Sequence, residues 1–361
     1  MKRNRSDHPR LRRLLRAPGG PEAARDPQIL VLELALGRLS GGHNEDYLAA
    51  VLAGLDDRAP VVWAPDRDGW GRPPGWARRA QDIALAWLAM HPPKGHRRIL
   101  ITQNPSAWEL LTLRAVTLLS RRRRGVAVFV LRRSGMTGSR FLERLSSLAD
   151  RSVRSLVRSR RLWPASDSSL VLNELREATG VQGTLLPIPV RRSALAAGPR
   201  TGPPVVSLVG AFRREKGAAH YRAVVEAALE HDPTVEVDVQ LGGGSAADDS
   251  AALAAELQEA WAGEPRVRAH GTFLAADEYD AILARSDIVV TPYEVEVYGT
   301  GTSGVINEAL AAGAVVLTTP IAWAVSEYDE HPRVRFLPAT DRRTIARELG
   351  EAIDLGLRAR A

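Results

Sequence analysis

The feature that most constrains the fold is a regular alternation of short, continuous apolar runs with longer amphipathic stretches, which starts at Pro27. Strands that are apolar on both faces are typical of parallel sheets, because helices cover such sheets on each side. In the first half, the pattern predicts strands at Gln28–Leu36, Pro60–Ala64, Arg98–Thr102 and Val126–Leu131, and the segment Thr184–Pro189 closes this half. It predicts helices at Glu45–Leu55, Trp76–Met90, Ser106–Ser120 and Phe141–Val157.

A second series of the same kind fills the C-terminal half. One of its strands alternates apolar residues with Glu236, Asp238 and Gln240, a pattern that predicts an edge strand or a partly exposed face. The predicted strands are Val205–Val209, Val235–Leu241, Val267–Ala269, Asp287–Thr291, Ala314–Thr318 and Val334–Leu337, with helices at about 217–231, 248–262, 277–285, 304–312 and 341–357.

Length and composition divide the chain into two domains. Its 361 residues exceed the ~250–300 at which a single core stops growing, and the Ala-, Gly- and Pro-rich segment Leu195–Pro204 is typical of a linker. The expected fold class is α/β, with two facing Rossmann-like domains and an interdomain cleft. The expected divisions are a basic disordered arm over 1–26, an N-terminal domain over 27–194, a linker over 195–204 and a C-terminal domain over 205–361.

Charge is distributed unevenly between the two halves. Residues 1–200 contain 35 Lys+Arg and 17 Asp+Glu, whereas residues 201–361 contain 14 and 25, so the halves are expected to meet different partners. The absence of cysteine excludes disulfides, Cys-ligated metals and thiol catalysis. No metal site is predicted, because the eight histidines show no metal-ligand spacing; a metal role for Asp66-Arg67-Asp68 is the less favoured alternative.

The turn after the strand Val205–Val209 reads Gly210-Ala-Phe-Arg-Arg-Glu-Lys-Gly217. A strand that runs into a glycine, a basic loop and a helix start brings cations beside unpaired backbone amides, which suits a phosphate. Arg213, Arg214 and Lys216 are the candidate cations. The turn contains neither a GxxxxGK[ST] nor a GxGxxG motif, and a solvated basic turn is the alternative.

A second motif, Tyr298-Gly-Thr-Gly-Thr-Ser-Gly304 followed by Val-Ile-Asn-Glu308, opens a short helix after the strand Asp287–Thr291. Its amides are suited to an anion, and Glu308, one turn into the helix, is suited to a ribose diol. An ordinary capped helix with a surface glutamate is the alternative. Because both motifs follow parallel strands of one half, they are expected to share an edge of the sheet and to bind a nucleoside diphosphate together.

The pair GAFRREKG and SGVINEALAAGAVVLTT, with the run DEYDAILARSDIVVTPYEVEVYGTGTSGV before the second motif, resembles the donor domain of GT-B fold glycosyltransferases, group 1 or family 4-like, which retain anomeric configuration. The resemblance covers about residues 205–325 and is thin over 27–190. It implies that Lys216, with Arg213 or Arg214, holds the diphosphate of a nucleotide-sugar donor. It also implies phosphate contacts from Gly210, Gly301, Thr302, Ser303 and Gly304, a ribose contact from Glu308, and a base near Thr272, Phe273 and Leu274.

Two positions of the C-terminal half depart from the pattern of that family. A glutamate that contacts the donor sugar is usual eight residues before the ribose glutamate, where this chain has Thr300, and an arginine is usual at Ala211. Glu294 or Glu296 is the candidate substitute for the missing glutamate. In the first half, Gly41-Gly-His43-Asn-Glu45 follows the first strand and predicts an acceptor or phosphate contact, with His43 as a hydrogen-bond or proton partner. A helix-capping loop with a surface histidine is the alternative.

The basic runs Arg121–Arg124 and Arg151–Arg161 complete the prediction of partners. They lack interleaved aromatic residues, so a nucleic acid is not expected, whereas an anionic membrane surface fits them; a solvated face is the alternative. We therefore expect a cytoplasmic glycosyltransferase, without cofactor, that uses a nucleotide sugar and a glycan or lipid-linked acceptor in bacterial polysaccharide or glycoconjugate synthesis, with peripheral contact at the inner face of the plasma membrane as an option. A sugar-nucleotide epimerase of GT-B type and a catalytically degenerate membrane- or nucleic-acid-binding protein are the alternatives.

Overall fold

The computed structural model describes residues 28–32, 61–63, 98–103, 107–119, 125–130, 148, 151–186, 188, 190, 200, 202–243 and 250–360. The chain divides into two compact units, Met1–Pro189 and Val190–Ala361. The predicted arm, the predicted helices at 45–55 and 76–90, and most of the predicted linker lie outside the described residues.

The N-terminal unit contains a six-stranded sheet in the order β2-β1-β3-β4-β5-β6, in which all neighbours are parallel. Helical segments connect its later strands. The strands are β1 (Gln28–Leu32), β2 (Val61–Trp63), β3 (Arg98–Gln103), β4 (Gly125–Val130), β5 (Leu162–Ser166) and β6 (Thr184–Leu185), and the helices include α1 (Ala107–Leu119) and α2 (Ser169–Thr179), with residues 151–158 also helical.

The sequence pattern missed strand β5 and helix α2. In β5, Pro164 and Ser166 interrupt the apolar run, and proline cannot donate to a strand ladder. The strand forms nevertheless, with Pro164 opposite Phe129 of β4. Helix α2 begins where the Ser168 side chain accepts a hydrogen bond from the Val171 amide, which is an ordinary N-cap.

The C-terminal unit contains a second six-stranded parallel sheet, in the order β12-β11-β10-β7-β8-β9. All six strands predicted for this half are present. They are β7 (Val205–Leu208), β8 (Glu236–Gln240), β9 (Val267–His270), β10 (Ile288–Thr291), β11 (Val315–Thr318) and β12 (Val334–Phe336), and the helices are α3 (Tyr221–His231), α4 (Ser250–Trp261), α5 (Ala276–Arg285), α6 (Val295–Tyr298), α7 (Gly304–Ala311), α8 (Ala322–Tyr328) and α9 (Arg342–Arg358).

The prediction that Val235–Leu241 is an edge or partly exposed strand is wrong. Strand β8 lies between β7 and β9, and its Asp238 and Gln240 are buried. Buried polar groups require partners, and both have them. Asp238 contacts Arg285 and the ring nitrogen of His270, and the Gln240 Oε1 accepts a hydrogen bond from the Gly210 amide at 2.9 Å.

An apolar core packs between this sheet and the helices beside it. It is built from side chains of β7, β8, β10 and β11 and from one face of α3, α4 and α9. A sheet packed in this way fixes where each strand ends, so the loops at its carboxyl edge start from defined positions. In the described part of the chain, no helix has the length and apolarity needed to cross a membrane. Two units, each with a parallel sheet and connecting helices, confirm the predicted α/β class.

Candidate functional site

Three segments carry the predicted site residues of the C-terminal unit, and the loop after β8 lies among them; all four leave the carboxyl edge of the C-terminal sheet. Strands β10, β7, β8 and β9 are successive neighbours and parallel. The loops that follow them therefore lie side by side, at the edge where open α/β sheets bind ligands. The loop after β7 contains residues 210–217, the loop after β8 begins at Gly242, the loop after β9 contains Thr272 and Phe273, and the segment after β10 leads to Glu308.

The first loop is fixed to its neighbour by backbone contacts. Gly210, at φ 103°, has a conformation that other residues rarely adopt, and its amide is the donor to Gln240. The Phe212 amide donates to the Gly242 carbonyl at 3.0 Å. The Phe212 ring packs edge-on against Tyr221, with centroids 5.1 Å apart. The loop therefore has one defined path before the cations begin.

The cations follow in a single 3-10 turn, Arg214–Lys216, which ends at Gly217. The Lys216 amide donates to the Arg213 carbonyl at 3.0 Å. Gly217 has φ 78°, and a Cβ added there would lie 1.8 Å from the carbonyl oxygen of Pro292. The turn is thus pressed against the segment after β10, which brings the two predicted motifs together.

Lys216 is the central cation of this arrangement. Its Nζ lies near Gly210, because a Cβ added to Gly210 would be 3.3 Å from it. Burial, and next the positive charge of Arg213, lower the pKa of Lys216 to about 8, while the nearby carboxylates of Glu215 and Glu308 act in the opposite direction. Lys216 from the first motif and Glu308 from the second therefore interact electrostatically.

The two arginines differ in their surroundings. Arg213 contacts Glu215, with 3.1 Å between Nη1 and Oε1, and its buried Nε has no hydrogen-bond partner among the described residues. A buried donor of this kind is costly unless a ligand pairs with it. Arg214 is exposed. Arg213 is therefore better placed than Arg214 to join Lys216 in holding an anion.

A pair of stacked tyrosines shapes the glycine-rich loop after β10. The rings of Tyr293 and Tyr298 lie 4.3 Å apart and 7° from parallel. The Tyr298 hydroxyl donates to the Thr302 carbonyl at 2.9 Å, and the hydroxyls of Tyr293 and Ser303 are 2.7 Å apart. Burial raises the pKa of Tyr293, so this hydroxyl keeps its proton at neutral pH. The Gly301 amide donates to the Tyr298 carbonyl and is engaged within the loop.

Ser303 and Gly304 form the start of helix α7. The Ser303 hydroxyl accepts a hydrogen bond from the Ile306 amide at 3.4 Å and caps the helix. The first amides of a helix have no acceptor within the helix, and the helix dipole makes this end electropositive. The amide of Gly304 therefore belongs to the end of α7 that favours an anion.

Glu308 lies one turn further along α7 and is only 1% exposed. Its Oε2 accepts a hydrogen bond from the Tyr279 hydroxyl at 2.7 Å. This contact joins α7 to α5, which follows the loop that contains Thr272 and Phe273. Surface exposure of Glu308, the alternative for this residue alone, is excluded by its burial.

Thr272 and Phe273 lie against the loop after β8. A Cβ added to Gly242 would come within 2.3 Å of the Thr272 carbonyl oxygen, and one added to Gly243 would be 2.7 Å from the Phe273 ring. The two loops therefore meet backbone to backbone, which only glycine permits. The Phe273 side chain is 52% exposed at this edge.

Glu294, a candidate substitute for the glutamate missing at Thr300, has a different partner. Its Oε1 lies 2.9 Å from the Nε2 of His220, and its amide donates to the Glu215 carbonyl at 3.2 Å. Glu294 therefore connects the segment after β10 to the basic turn. The other candidate, Glu296, is exposed on α6, and His43 lies outside the described residues.

Sequence reasoning missed several residues that build this site: Gln240, Tyr279, Tyr293 and His220. None belongs to either motif, and their partners are 10 to 74 residues away in the chain. The one available signal was the polar pattern of β8, since a polar residue in an otherwise apolar strand needs a partner. Among the described residues, no group of three His, Asp or Glu side chains is arranged to hold a metal ion.

Two parallel sheets in two units, with a basic turn and a capped helix at the carboxyl edge of the second, are the features of a GT-B glycosyltransferase. Residues 203–354 match the family model described as Glycosyl transferases group 1. This match covers most of the C-terminal unit, and the predicted enzyme class, a glycosyltransferase, is confirmed. A search of curated proteins found no match.

Solved structures of low sequence identity share the fold over nearly the whole chain. Sucrose-phosphate synthase from Thermosynechococcus elongatus matches with a TM-score of 0.59 at 16% identity, over 92% of this chain and 93% of that one. HepE from Anabaena, solved in complex with UDP and glucose, matches with 0.59 at 14%, over 91% and 89%. A putative UDP-N-acetylglucosamine 2-epimerase from Listeria monocytogenes matches with 0.54 at 14%, over 91% and 88%. These likenesses show the GT-B fold.

Proposed function

We propose that this enzyme transfers a sugar from a nucleoside diphosphate sugar to a glycan or lipid-linked acceptor, in bacterial polysaccharide or glycoconjugate synthesis. The observation that carries the proposal is the convergence of Lys216, Arg213 and Glu308 beside the N-terminus of α7. The match to the group 1 family covers these same residues. Retention of anomeric configuration is proposed from the resemblance to retaining GT-B enzymes.

The diphosphate of the donor would be bound by Lys216, Arg213 and the first amides of α7. When the bond from the anomeric carbon to the diphosphate oxygen breaks, its electron pair stays on that oxygen, and negative charge develops there. Cations and helix amides that are already in place stabilise this charge without reorganising. We therefore propose that the reaction needs no metal ion and no cofactor, and that Arg214, Thr302 and Ser303 complete the surroundings of the diphosphate.

The nucleoside would be bound on the other side of Lys216. The Glu308 carboxylate can accept hydrogen bonds from the two ribose hydroxyls. The loop with Thr272 and Phe273 leads into α5, whose Tyr279 contacts Glu308, and this connection supports placing the nucleoside beside the loop. The exposed Phe273 ring offers a face on which a base can stack. A UDP complex is known for HepE, which has the same fold.

We further propose that a basic helix face of the N-terminal unit contacts an anionic membrane surface or the anionic part of a lipid-linked acceptor. Residues 151–158 form an amphipathic helix in which Arg151, Arg154 and Arg158 are exposed. Together with Ser155 and Ser159 they line a groove of about 540 Å³. Val153, Leu156 and Val157 are buried, so the arginines form one charged face.

Calorimetric titration with UDP and with GDP tests the proposed donor site. We expect one of the two to bind to the wild type, and the variant Lys216→Met to bind it at least about tenfold more weakly, because a charge-assisted contact to phosphate is lost. Arg222→Gln is the matched control: it also removes one positive charge from the same unit, but Arg222 pairs with Glu256 on the helix surface. A wild type that binds neither nucleotide, or a Lys216→Met variant with unchanged affinity, would refute the proposal.

The fold is shared with an epimerase, so the reaction itself needs a separate test. Incubation of the enzyme with a panel of nucleotide sugars, without acceptor, distinguishes the two activities. A transferase releases nucleoside diphosphate only when an acceptor or water takes the sugar, whereas an epimerase converts the donor into its isomer. Accumulation of an isomeric nucleotide sugar would contradict the proposed transfer.

A further inference from the structure

Tyr279 lies outside both motifs and makes a direct side-chain contact with the candidate site. It lies in the first turn of α5, immediately after the loop that contains Thr272 and Phe273. This turn is well fixed: the Glu278 carboxylate accepts a hydrogen bond from the Ala275 amide at 2.9 Å, and the Tyr279 amide donates to the Ala275 carbonyl at 2.9 Å. The position of Tyr279 is therefore tied to that of the loop.

The Tyr279 hydroxyl reaches Glu308, with 2.7 Å between the phenol oxygen and Oε2. Strand β9, before α5, and strand β10, before α7, are not neighbours, because β7 and β8 lie between them. The hydrogen bond therefore crosses the carboxyl ends of β7 and β8. This side-chain contact connects the base-side loop of the proposed site to its ribose carboxylate.

A hydrogen bond from a phenol to a buried carboxylate has a defined effect. Glu308 is 1% exposed, so water cannot orient it freely. The donated O–H fixes the direction of the carboxylate and occupies one of its four lone-pair positions, which leaves both oxygens able to accept further hydrogen bonds. Fixing an acceptor before the ligand arrives lowers the entropy lost on binding.

We propose that Tyr279 is a positioning residue: it orients Glu308 toward the ribose hydroxyls of a nucleoside diphosphate and couples that contact to the base-side loop. This inference rests on the proposed function, in which Glu308 binds ribose. Tyr279 acts through Glu308. Removal of the Tyr279 hydroxyl should therefore weaken the binding only of a ligand that has ribose hydroxyls for Glu308 to bind.

Calorimetric titration with two ligand pairs tests the inference: UDP with 2′,3′-dideoxy-UDP, and GDP with 2′,3′-dideoxy-GDP. For the nucleotide that the wild type binds, we expect Tyr279→Phe to weaken binding about 3- to 10-fold, which is the effect of one lost hydrogen bond. The same variant should bind the dideoxy nucleotide as the wild type does. In a Glu308→Ala background, Tyr279→Phe should have no further effect on either ligand.

Tyr298→Phe is the matched control, because it removes one hydroxyl at the same sheet edge, from a bond to the Thr302 carbonyl. It should change the affinity for both ligands of a pair by the same factor. Equal weakening of both ligands by Tyr279→Phe, or unchanged affinity for the ribonucleotide, would overturn the inference while the donor site itself stands. A wild type that binds no nucleotide would overturn the proposed function, and this inference with it.

Discussion

At the scale of single residues, the candidate site combines residues that the sequence singles out with residues that it hides. Lys216 and Glu308 stand out because each occupies a motif between a strand and a helix. Gln240 and Tyr279 do not, because their role depends on partners 30 and 29 residues away. Sequence motifs thus identify side chains that can contact a ligand. The residues that hold those side chains in place are identified only from the three-dimensional structure.

The lowered pKa of Lys216 makes nucleotide binding depend on pH. With the pKa at about 8, the ammonium is charged at pH 7 and largely neutral at pH 9. A bound diphosphate favours the charged form, so we expect affinity to fall as pH rises from 7 to 9, and binding near pH 8.5 to take up a proton. Titration in two buffers of different ionisation enthalpy measures this uptake. Lys216→Met should bind weakly at both pH values and take up no proton, and uptake that persists in this variant would contradict the assignment.

The same pKa predicts the opposite trend for the stability of the free protein. The pKa of Lys216 is lower in the folded state than its unfolded value of about 10.4. Between about pH 8 and pH 10.4 the unfolded chain therefore binds more protons than the folded chain. As a result, Lys216 makes the free energy of unfolding rise with pH across that window. Lys216→Met should therefore be more stable than the wild type at pH 7, by about 1 kcal/mol for a partly exposed side chain. The difference should shrink toward pH 10, as measured by urea unfolding.

At the scale of elements, the apolar strands are the predictable part of the fold. The six strands of the C-terminal sheet follow from continuous apolar runs, and each forms close to its predicted position. The errors of the sequence prediction have physical causes. Strand β5 was missed because Pro164 interrupts its apolar run, and β8 was predicted to be partly exposed because its buried Asp238 and Gln240 alternate with apolar residues. The two short helices α6 and α8 were missed because neither is long enough to show a periodic pattern.

The contact between the two motifs depends on one glycine, Gly217. A Cβ at this position would lie 1.8 Å from the Pro292 carbonyl oxygen, in a residue with φ 78°. We expect Gly217→Ala to destabilise the C-terminal unit by about 3 kcal/mol or more, because a left-handed conformation alone costs about 1–2 kcal/mol and the clash adds to it. The variant should also bind nucleotide more weakly, since the basic turn must move away from Pro292 in the segment after β10.

The variant Gly180→Ala separates the cost of the left-handed conformation from the cost of the clash with Pro292. Gly180 has a similar conformation, with φ 72°, but nothing lies within 4 Å of an added Cβ. It should cost only the conformational part, about 1–2 kcal/mol, and leave nucleotide affinity unchanged. Both costs are read from urea unfolding curves. Equal destabilisation by the two substitutions would show that the contact with Pro292 does not hold the turn.

At the scale of the whole molecule, sequence and structure are unequally informative about the two halves. The family match and the candidate donor site both lie in the C-terminal unit, where the net charge is negative and the candidate phosphate-binding cations belong to the turn at Arg213–Lys216. The N-terminal half carries 35 Lys+Arg against 17 Asp+Glu, and Arg151, Arg154 and Arg158 lie exposed on one helix face. Composition predicts different partners for the halves, and the exposed arginines of residues 151–158 are where we propose that the second partner binds.

The basic face is tested with vesicles, because anionic lipid attracts each nearby Lys or Arg by about 1 kcal/mol. The wild type should sediment with vesicles of phosphatidylcholine and phosphatidylglycerol and stay in solution with phosphatidylcholine alone. The triple variant Arg151→Gln, Arg154→Gln, Arg158→Gln should bind the anionic vesicles at least about tenfold more weakly. A variant with Gln at Arg342, Arg343 and Arg347, three exposed arginines of the C-terminal unit, removes the same charge and should bind as the wild type does.

Two outcomes would count against this partner. If both triple variants lost binding equally, the attraction would follow total charge rather than the helix face. If the wild type shifted a short double-stranded DNA in a gel at physiological salt but ignored vesicles, the arginines would serve a nucleic acid instead. Because exposed charges are screened within about 8 Å at that salt, the vesicle interaction should weaken steeply as salt is raised, whereas nucleotide binding at the partly buried Lys216 should weaken much less.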